Sequence, residues 1–147
     1  MITKVGMQTD FAAALQDLVE LELDAVQAYQ AAVERIEDPL SRNQLGSFLT
    51  DHRRHVDEVQ ALLRAHQQTV PTEPSSKQWL AKGKVVIGGL LGDAAVLAAM
   101  RSNEQDTNTA YERVVAHEGL WPDAKPVLEH ALADERRHRD WLEQMLA

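Results

Sequence analysis

The sequence predicts an all-α protein, a four-helix bundle with a long crossover between its second and third helices. Three observations support this prediction. Apolar residues recur at helical spacing in four segments of the chain. The first and last connections between these segments are short, whereas the middle one is about 25 residues long, unusual for a compact domain. We expect residues 1–147 to form a single bundle domain.

The first two helices are predicted to form an antiparallel pair. The first is expected over residues 9–36, with Thr9 as its N-cap. Asp38 and Pro39 then indicate a new helix, because aspartate caps a helix and proline fits its first position. The second helix is expected to reach about residue 66, and the tight connection makes it antiparallel to the first.

A segment rich in Pro, Ser, Thr and then Gly follows over about residues 67–92. A bundle helix of about 26 residues is about 39 Å long, and about 25 residues can travel that length even when only partly extended. The second and third helices can therefore run parallel, joined by one crossover. Asp93 is expected to cap a third helix that ends near residue 117, and a fourth is expected over residues 124–145.

The composition limits the classes of function. The chain has 15 basic and 23 acidic residues and a net charge of −8, which argues against a nucleic-acid partner. It has no cysteine, which excludes disulfides, thiolate metal sites and iron–sulfur clusters. The N-terminal residues lack the apolar core of a signal peptide. The longest apolar run, residues 85–92, is far shorter than the roughly 20 residues of a membrane span. We expect a cytoplasmic protein with no membrane partner.

Six ionisable residues interrupt the apolar seams of the four helices at positions that should face the core. They are Glu22 in the first helix, His52 and His55 in the second, Glu104 in the third, and Glu135 and His138 in the fourth. An isolated buried charge is costly unless it is paired or neutralised. Six such residues at matched heights would meet in one layer. A divalent cation would offset the repulsion between the carboxylates and use the lone pairs of the imidazoles, so we predict a metal site.

The two halves of the chain repeat this pattern. The string Glu22-x-Asp24 with Tyr29 recurs as Glu104-x-Asp106 with Tyr111, and His52-Arg-Arg-His55 recurs as Glu135-Arg-Arg-His138. The repeat indicates an internal pseudo-twofold axis with the site on it. We expect the two tyrosines to be core aromatics whose hydroxyls have partners, with a role beside the metal as the alternative. Asp24 and Asp106 are expected at the surface.

These residues resemble the ligand set of the ferritin-like superfamily. In that family the first and third helices each provide a Glu, and the second and fourth each provide Glu-x-x-His. The matching residues are Glu22, His55, Glu104, Glu135 and His138. The resemblance spans nearly the whole chain and is closest to small bacterial ferritin-like domains of unknown function. It implies a di-iron carboxylate site, with zinc, nickel or manganese as alternatives to iron. The chain departs from the family at one ligand position, where His52 replaces Glu.

The resemblance implies a non-haem metalloprotein that acts with oxygen or peroxide, as an oxidoreductase, or in iron handling through ferroxidase-like activity. The alternative is a non-catalytic structural or stress-related bundle, zinc-filled or empty, that acts through protein–protein contacts. A homodimer is compatible with both, and the sequence does not identify a redox partner.

The charge count predicts an asymmetric site. Glu22, Glu104 and Glu135 leave one positive charge uncompensated when two divalent ions bind. A neutral His52 offers one free lone pair and so binds one ion. We therefore expect either one metal ion or two bound unequally. Without metal, the carboxylates are expected to repel one another in a dry core.

Overall fold

The computed structural model describes residues 2–74, 87, 89 and 91–147. In this part of the chain there are four helices and no strand: α1 (Phe11–Arg35), α2 (Pro39–Ala65), α3 (Asp93–Val115) and α4 (Ala124–Leu146). The predicted all-α four-helix bundle is confirmed, and the helix bounds lie close to the predicted ones. None of the helices in the described residues is both long and apolar enough to cross a membrane.

Aspartates define the starts of the first two helices. The N-cap of α1 is Asp10, not Thr9 as predicted, and its carboxylate accepts a hydrogen bond from the backbone N–H of Ala13 at 3.1 Å. Asp38 caps α2 as predicted, accepting from the backbone N–H of Ser41 at 3.0 Å. In each case the carboxylate satisfies a backbone donor that the first turn of a helix leaves without a partner.

Asp93 does not cap α3, and this prediction is wrong. Gly92 holds the N-cap position of α3, and Asp93 is the first helical residue. The carboxylate of Asp93 instead accepts hydrogen bonds from the backbone N–H groups of Glu37 at 2.8 Å and Asp38 at 2.9 Å. These donors lie at the junction of α1 and α2, so the charged side chain joins two connections at one end of the bundle.

The helix ends that meet determine the direction of each helix. Asp93 places the start of α3 beside the start of α2. At the other end, His66 follows α2 and contacts Asp123, which precedes α4, at 2.9 Å. Thus α2 and α3 run parallel, and α1 and α4 run in the opposite direction. The end of α2 and the start of α3 therefore lie at opposite ends of the bundle. Of the residues that connect them, 75–86, 88 and 90 lie outside the described residues.

Two apolar clusters form the core, one in each half of the bundle. One cluster includes Leu15, Leu18, Leu63, Tyr111 and Leu128, and the other includes Tyr29, Phe48, Met100 and Leu142. Burying one large apolar side chain stabilises the fold by about 1.5–3 kcal/mol. The clusters hold the four helices together on both sides of a layer of buried polar residues.

Candidate metal centre

The polar layer contains all six residues that the sequence placed on the core-facing seams. The exposed fraction is 0% for Glu22, His52, Glu104, Glu135 and His138, and 1% for His55. Each stands on the buried face of its helix, and on every helix buried apolar residues lie on both sides of the polar positions. The structure therefore brings together every residue of the predicted set.

The six residues form two overlapping groups. The first is Glu22, His52, His55 and Glu135, and the second is His52, Glu104, Glu135 and His138. Within each group, one ligand atom from every residue lies within 4.8 Å of the others. His52 and Glu135 belong to both groups. They occupy matching positions in the two halves of the sequence repeat.

His52 lies between the carboxylates of the two groups. Its Nδ1 is 3.1 Å from Oε2 of Glu22 and 3.4 Å from Oε1 of Glu135. Its Nε2 is 2.9 Å from Oε1 of Glu104. The two ring nitrogens therefore face different carboxylates.

The other two histidines each direct Nδ1 toward the cluster. Nδ1 of His55 is 3.1 Å from Oε1 of Glu135, and Nδ1 of His138 is 3.3 Å from Oε1 of Glu104. Their Nε2 atoms point outward and donate to aspartates, with His55 bonding Asp134 at 2.9 Å and His138 bonding Asp51 at 2.8 Å. A hydrogen on Nε2 leaves the lone pair on Nδ1, the nitrogen that faces the cluster.

Asp51 and Asp134 are functional candidates that the sequence reasoning missed. They directly precede His52 and Glu135, so they are themselves part of the repeat. Each side chain is 12–13% exposed and is covered by arginines on the outer surface. Arg137 contacts Asp51 at 2.8 Å and Asp134 at 3.1 Å, and Arg54 also contacts Asp134. The repeat of this aspartate could have drawn attention to it. Its partner could not be identified from the repeat, because each aspartate bonds a histidine on another helix.

Two residues of α3, Thr107 and Asn108, contact both Glu104 and Glu135. The hydroxyl of Thr107 is 3.1 Å from Oε2 of Glu104 and 3.0 Å from Oε2 of Glu135. The side-chain amide of Asn108 donates to the backbone carbonyls of Glu104 at 2.7 Å and Glu135 at 3.0 Å. These contacts fix α3 against α4 at the height of the cluster.

The two tyrosines of the repeat differ in their contacts. The hydroxyl of Tyr29 donates to Oε1 of Glu104 at 2.5 Å, as expected for a buried tyrosine with a partner. The hydroxyl of Tyr111 is buried and has no hydrogen-bond partner among the described residues, against the expectation. Burial and the charges of Glu22 and Glu135 raise the pKa of Tyr111 well above its ordinary value.

Asp24 is also placed differently from the prediction. It is only 7% exposed, whereas the sequence placed it at the surface. Its repeat partner Asp106 is half-buried and accepts a hydrogen bond from the backbone N–H of Thr3 at 3.0 Å. The helical spacing placed both residues off the seam, but the N-terminal segment, which contacts Asp106 through Thr3, covers part of the bundle that the periodicity of one helix cannot reveal.

The carboxylates favour positive charge on the three histidines. Burial alone would lower the pKa of His52, but Glu135, Glu22 and Glu104 outweigh it and raise the pKa well above its ordinary value. Burial likewise opposes protonation of His55 and His138. Hydrogen bonds to Glu135 and Asp51, respectively, lead the opposing effects, and the pKa of each rises to about 10. Without a bound cation, the imidazolium charges balance the carboxylates.

The surroundings shift the pKa values of Glu22 and Glu135 in opposite directions. Burial would raise the pKa of Glu22, but His52 and His55 outweigh burial and lower it to about 2. For Glu135, burial and the charge of Glu104 raise the pKa to about 7. Glu135 is therefore the carboxylate of the cluster that is easiest to protonate, and its position in both groups gives it the most neighbouring negative charge.

The donor set fits a transition-metal ion. Zinc, for example, lies about 2.0–2.2 Å from imidazole nitrogens and carboxylate oxygens. Two ligands on opposite sides of one ion are therefore about 4 Å apart, comparable to the spacing of up to 4.8 Å within each group. Three imidazoles and three carboxylates suit iron, zinc, nickel or manganese, so each group could hold one ion.

Comparison with known proteins gives a family and a fold. Residues 10–117 match the family described as a domain of unknown function, DUF2383. A crystal structure of the conserved hypothetical protein rv2844 from Mycobacterium tuberculosis is similar, with a TM-score of 0.77 and 21% identity over 92% of this chain and 96% of that chain. At this identity the similarity shows a shared fold. No curated protein matches the sequence.

Proposed function

This chain belongs to the DUF2383 family, and we propose that it is a non-haem metalloprotein whose buried layer binds one or two transition-metal ions, with iron as the favoured metal. The proposed ligands are Glu22, His52, His55, Glu104, Glu135 and His138. The observation that carries the proposal is the convergence of these six buried side chains from four helices into two overlapping groups of metal-ligand spacing. The ferritin-like resemblance of the sequence supports iron.

Glu135 is the central ligand of the proposed site. Its Oε1 faces His55 at 3.1 Å, and its Oε2 lies 3.6 Å from Nδ1 of His138. One carboxylate oxygen therefore faces a histidine of each group, so Glu135 could contribute a ligand atom to both groups. His52 also belongs to both groups, but a neutral imidazole has one lone pair and binds a single ion. We expect one ion to bind tightly and a second, where present, to bind more weakly.

Asp51 and Asp134 orient the histidine ligands. Each accepts the Nε2 hydrogen of one histidine and so holds its Nδ1 lone pair toward the cluster. The two apolar clusters exclude bulk water from the layer on both sides, which strengthens the interaction of the carboxylates with a cation. Bound iron would supply redox chemistry with oxygen or peroxide, as oxidoreductase or ferroxidase-like activity.

The test is anaerobic loading of the purified protein with iron(II), followed by removal of free metal and elemental analysis. Oxygen uptake is then measured on exposure to air. We expect bound iron and oxygen uptake in the wild-type protein, and a large loss of both in Glu135→Gln, which removes a charge shared by both groups. Circular dichroism confirms that the variant remains helical. A wild-type protein that retains no transition metal would contradict the proposal.

A second candidate function is a structural bundle without redox chemistry. One observation favours it: His52, His55 and His138 face the three glutamates, and their raised pKa values let imidazolium balance the carboxylates without metal. Such a protein would act through protein–protein contacts, with zinc or no metal in the layer. Retention of zinc without oxygen uptake after iron loading, or no metal at all, would support this candidate.

A further inference from the structure

The two tyrosines of the repeat stand at matching positions but serve the site differently. Tyr29 and Tyr111 each follow a glutamate of the cluster by seven residues. Tyr29 stacks against His52 at 4.8 Å between ring centroids and donates to Glu104 across the bundle. Tyr111 packs edge-on against His55 at 5.7 Å, and its buried hydroxyl has no partner in the described residues. A buried hydroxyl without a partner is costly, so a bound acceptor would be favourable.

The side chains around the two tyrosines also differ in size. Phe48 precedes His52 by four residues, and Ala131 precedes Glu135 by four residues, so the repeat matches a large ring with a methyl group. Phe48 packs on His138 at 4.1 Å and lies edge-on to Tyr29 at 6.4 Å. Ala131 is fully buried in the same apolar cluster as Tyr111. At this position of the repeat, the apolar cluster that contains Tyr111 therefore has a smaller side chain than the cluster that contains Tyr29.

We propose that Tyr111 marks a subsite for a small anion on the His55 side of the cluster, where the Tyr111 hydroxyl donates a hydrogen bond to that anion. The inference rests on the proposed metal site. Three glutamates carry one charge fewer than two divalent ions, so a bound anion completes the balance. The Tyr111 hydroxyl, which is buried and has no partner among the described residues, gives that anion a hydrogen-bond donor.

Azide binding to the cobalt(II)-loaded protein tests this subsite. Cobalt reports ligands at the metal through its visible absorption spectrum and avoids oxygen chemistry. We expect azide to change the cobalt spectrum of the wild-type protein, and Tyr111→Phe to weaken the azide affinity by about tenfold, the effect of losing one hydrogen bond to a charged group. Cobalt stoichiometry should be the same in both proteins. Ala131→Leu, which places a larger side chain in the apolar cluster of Tyr111, should also weaken azide binding.

Tyr29→Phe is the matched comparison, because it removes the same hydroxyl from the opposite half. At saturating cobalt its azide affinity should stay closer to wild type than that of Tyr111→Phe. If cobalt binds but the wild-type spectrum does not respond to azide, or Tyr111→Phe binds azide as tightly as wild type, the subsite is refuted and the metal site stands. If the wild-type protein binds no cobalt, the proposed function and the subsite both fail.

Discussion

The histidine at position 52 leaves the cluster with one carboxylate fewer than a symmetric repeat would have. Its two ring nitrogens face Glu22 and Glu104, whereas the matching residue of the other half, Glu135, faces imidazoles. The layer therefore has three carboxylates and three histidines. A fourth carboxylate at position 52 would provide the charge that two divalent ions need and a second oxygen for bridging. The imidazole removes both features, and this makes the proposed site asymmetric.

We predict that His52→Glu makes the two metal ions bind with more nearly equal affinity. Cobalt or iron stoichiometry should rise toward two ions per chain, because the fourth carboxylate supplies the missing negative charge. The azide response should weaken, because an exogenous anion is no longer needed for charge balance. Isothermal titration with cobalt, followed by elemental analysis, measures the stoichiometry. Two ions of equal affinity in the unmodified protein would show that this account of His52 is wrong.

We predict that Asp134→Asn weakens metal affinity by about tenfold or more, the range for losing a carboxylate behind a histidine ligand. The amide is a weaker acceptor for Nε2 of His55 and can rotate to present a donor. Competition with a chromophoric chelator gives the affinity. Asp123→Asn is the control, because Asp123 accepts from Nε2 of His66 at 2.9 Å, outside the cluster.

If both variants keep wild-type metal affinity, the positioning role of Asp134 is wrong. Melting temperatures of the chelated proteins show whether Asp134→Asn also destabilises the metal-free fold, and so separate a loss of stability from a loss of histidine positioning.

The seam positions of the six cluster residues could be predicted because burial follows the period of a single helix. The roles of Asp51 and Asp134 could not, because each depends on which other helix lies beside it. Asp51 serves His138 and Asp134 serves His55, so neither aspartate serves the histidine of its own helix. One sequence gives the period of a helix but not the lateral distance to its neighbour.

Asp93 links the start of α3 to the junction of α1 and α2 through hydrogen bonds. An Asp just before a helix pattern predicts an N-cap, and that prediction failed because the carboxylate of Asp93 accepts hydrogen bonds from backbone donors of another element. Glu37 and Asp38 present N–H groups at the start of α2, and both bond to Asp93. The bounds of all four helices were predictable from periodicity, whereas this link depends on how the helix pairs meet.

We predict that Asp93→Ala lowers the free energy of unfolding by about 1–3 kcal/mol, because two backbone donors lose a charged acceptor. Asp93→Asn keeps one acceptor oxygen and should lose less. Urea denaturation monitored by circular dichroism measures both variants without metal. Equal stability of Asp93→Ala and the wild type would show that the link does not hold the helix pairs together.

In the metal-free protein, the charges of the buried layer are closer to balance than the sequence suggested. The expectation of carboxylates repelling one another in a dry core omitted the three histidines that face them. The pKa values of His55 and His138 rise to about 10 in the folded protein. Their contribution to stability is fully present below their ordinary value of 6.5 and is lost as pH rises through about 10. A metal ion competes with these protons for the same nitrogens.

We predict that the stabilisation by metal grows with pH. Between pH 6.5 and about 10, the chelated protein should lose stability, because the histidines of the unfolded chain are deprotonated while those of the folded protein still hold their protons. The cobalt-loaded protein already has neutral histidines and should lose less. Differential scanning fluorimetry of both forms gives the difference in melting temperature at each pH. A difference that stays constant over this range would contradict proton–metal competition at the cluster.

Anomalous diffraction from crystals of the iron(II)-loaded protein tests most directly whether the buried polar layer binds metal. The predicted result is a strong iron peak inside the layer, within coordination distance of Glu135 and at least one of His55 and His138. A second, weaker peak in the other group would show unequal occupancy. A layer without an iron peak, with iron found only on the protein surface or not at all, would contradict the claim.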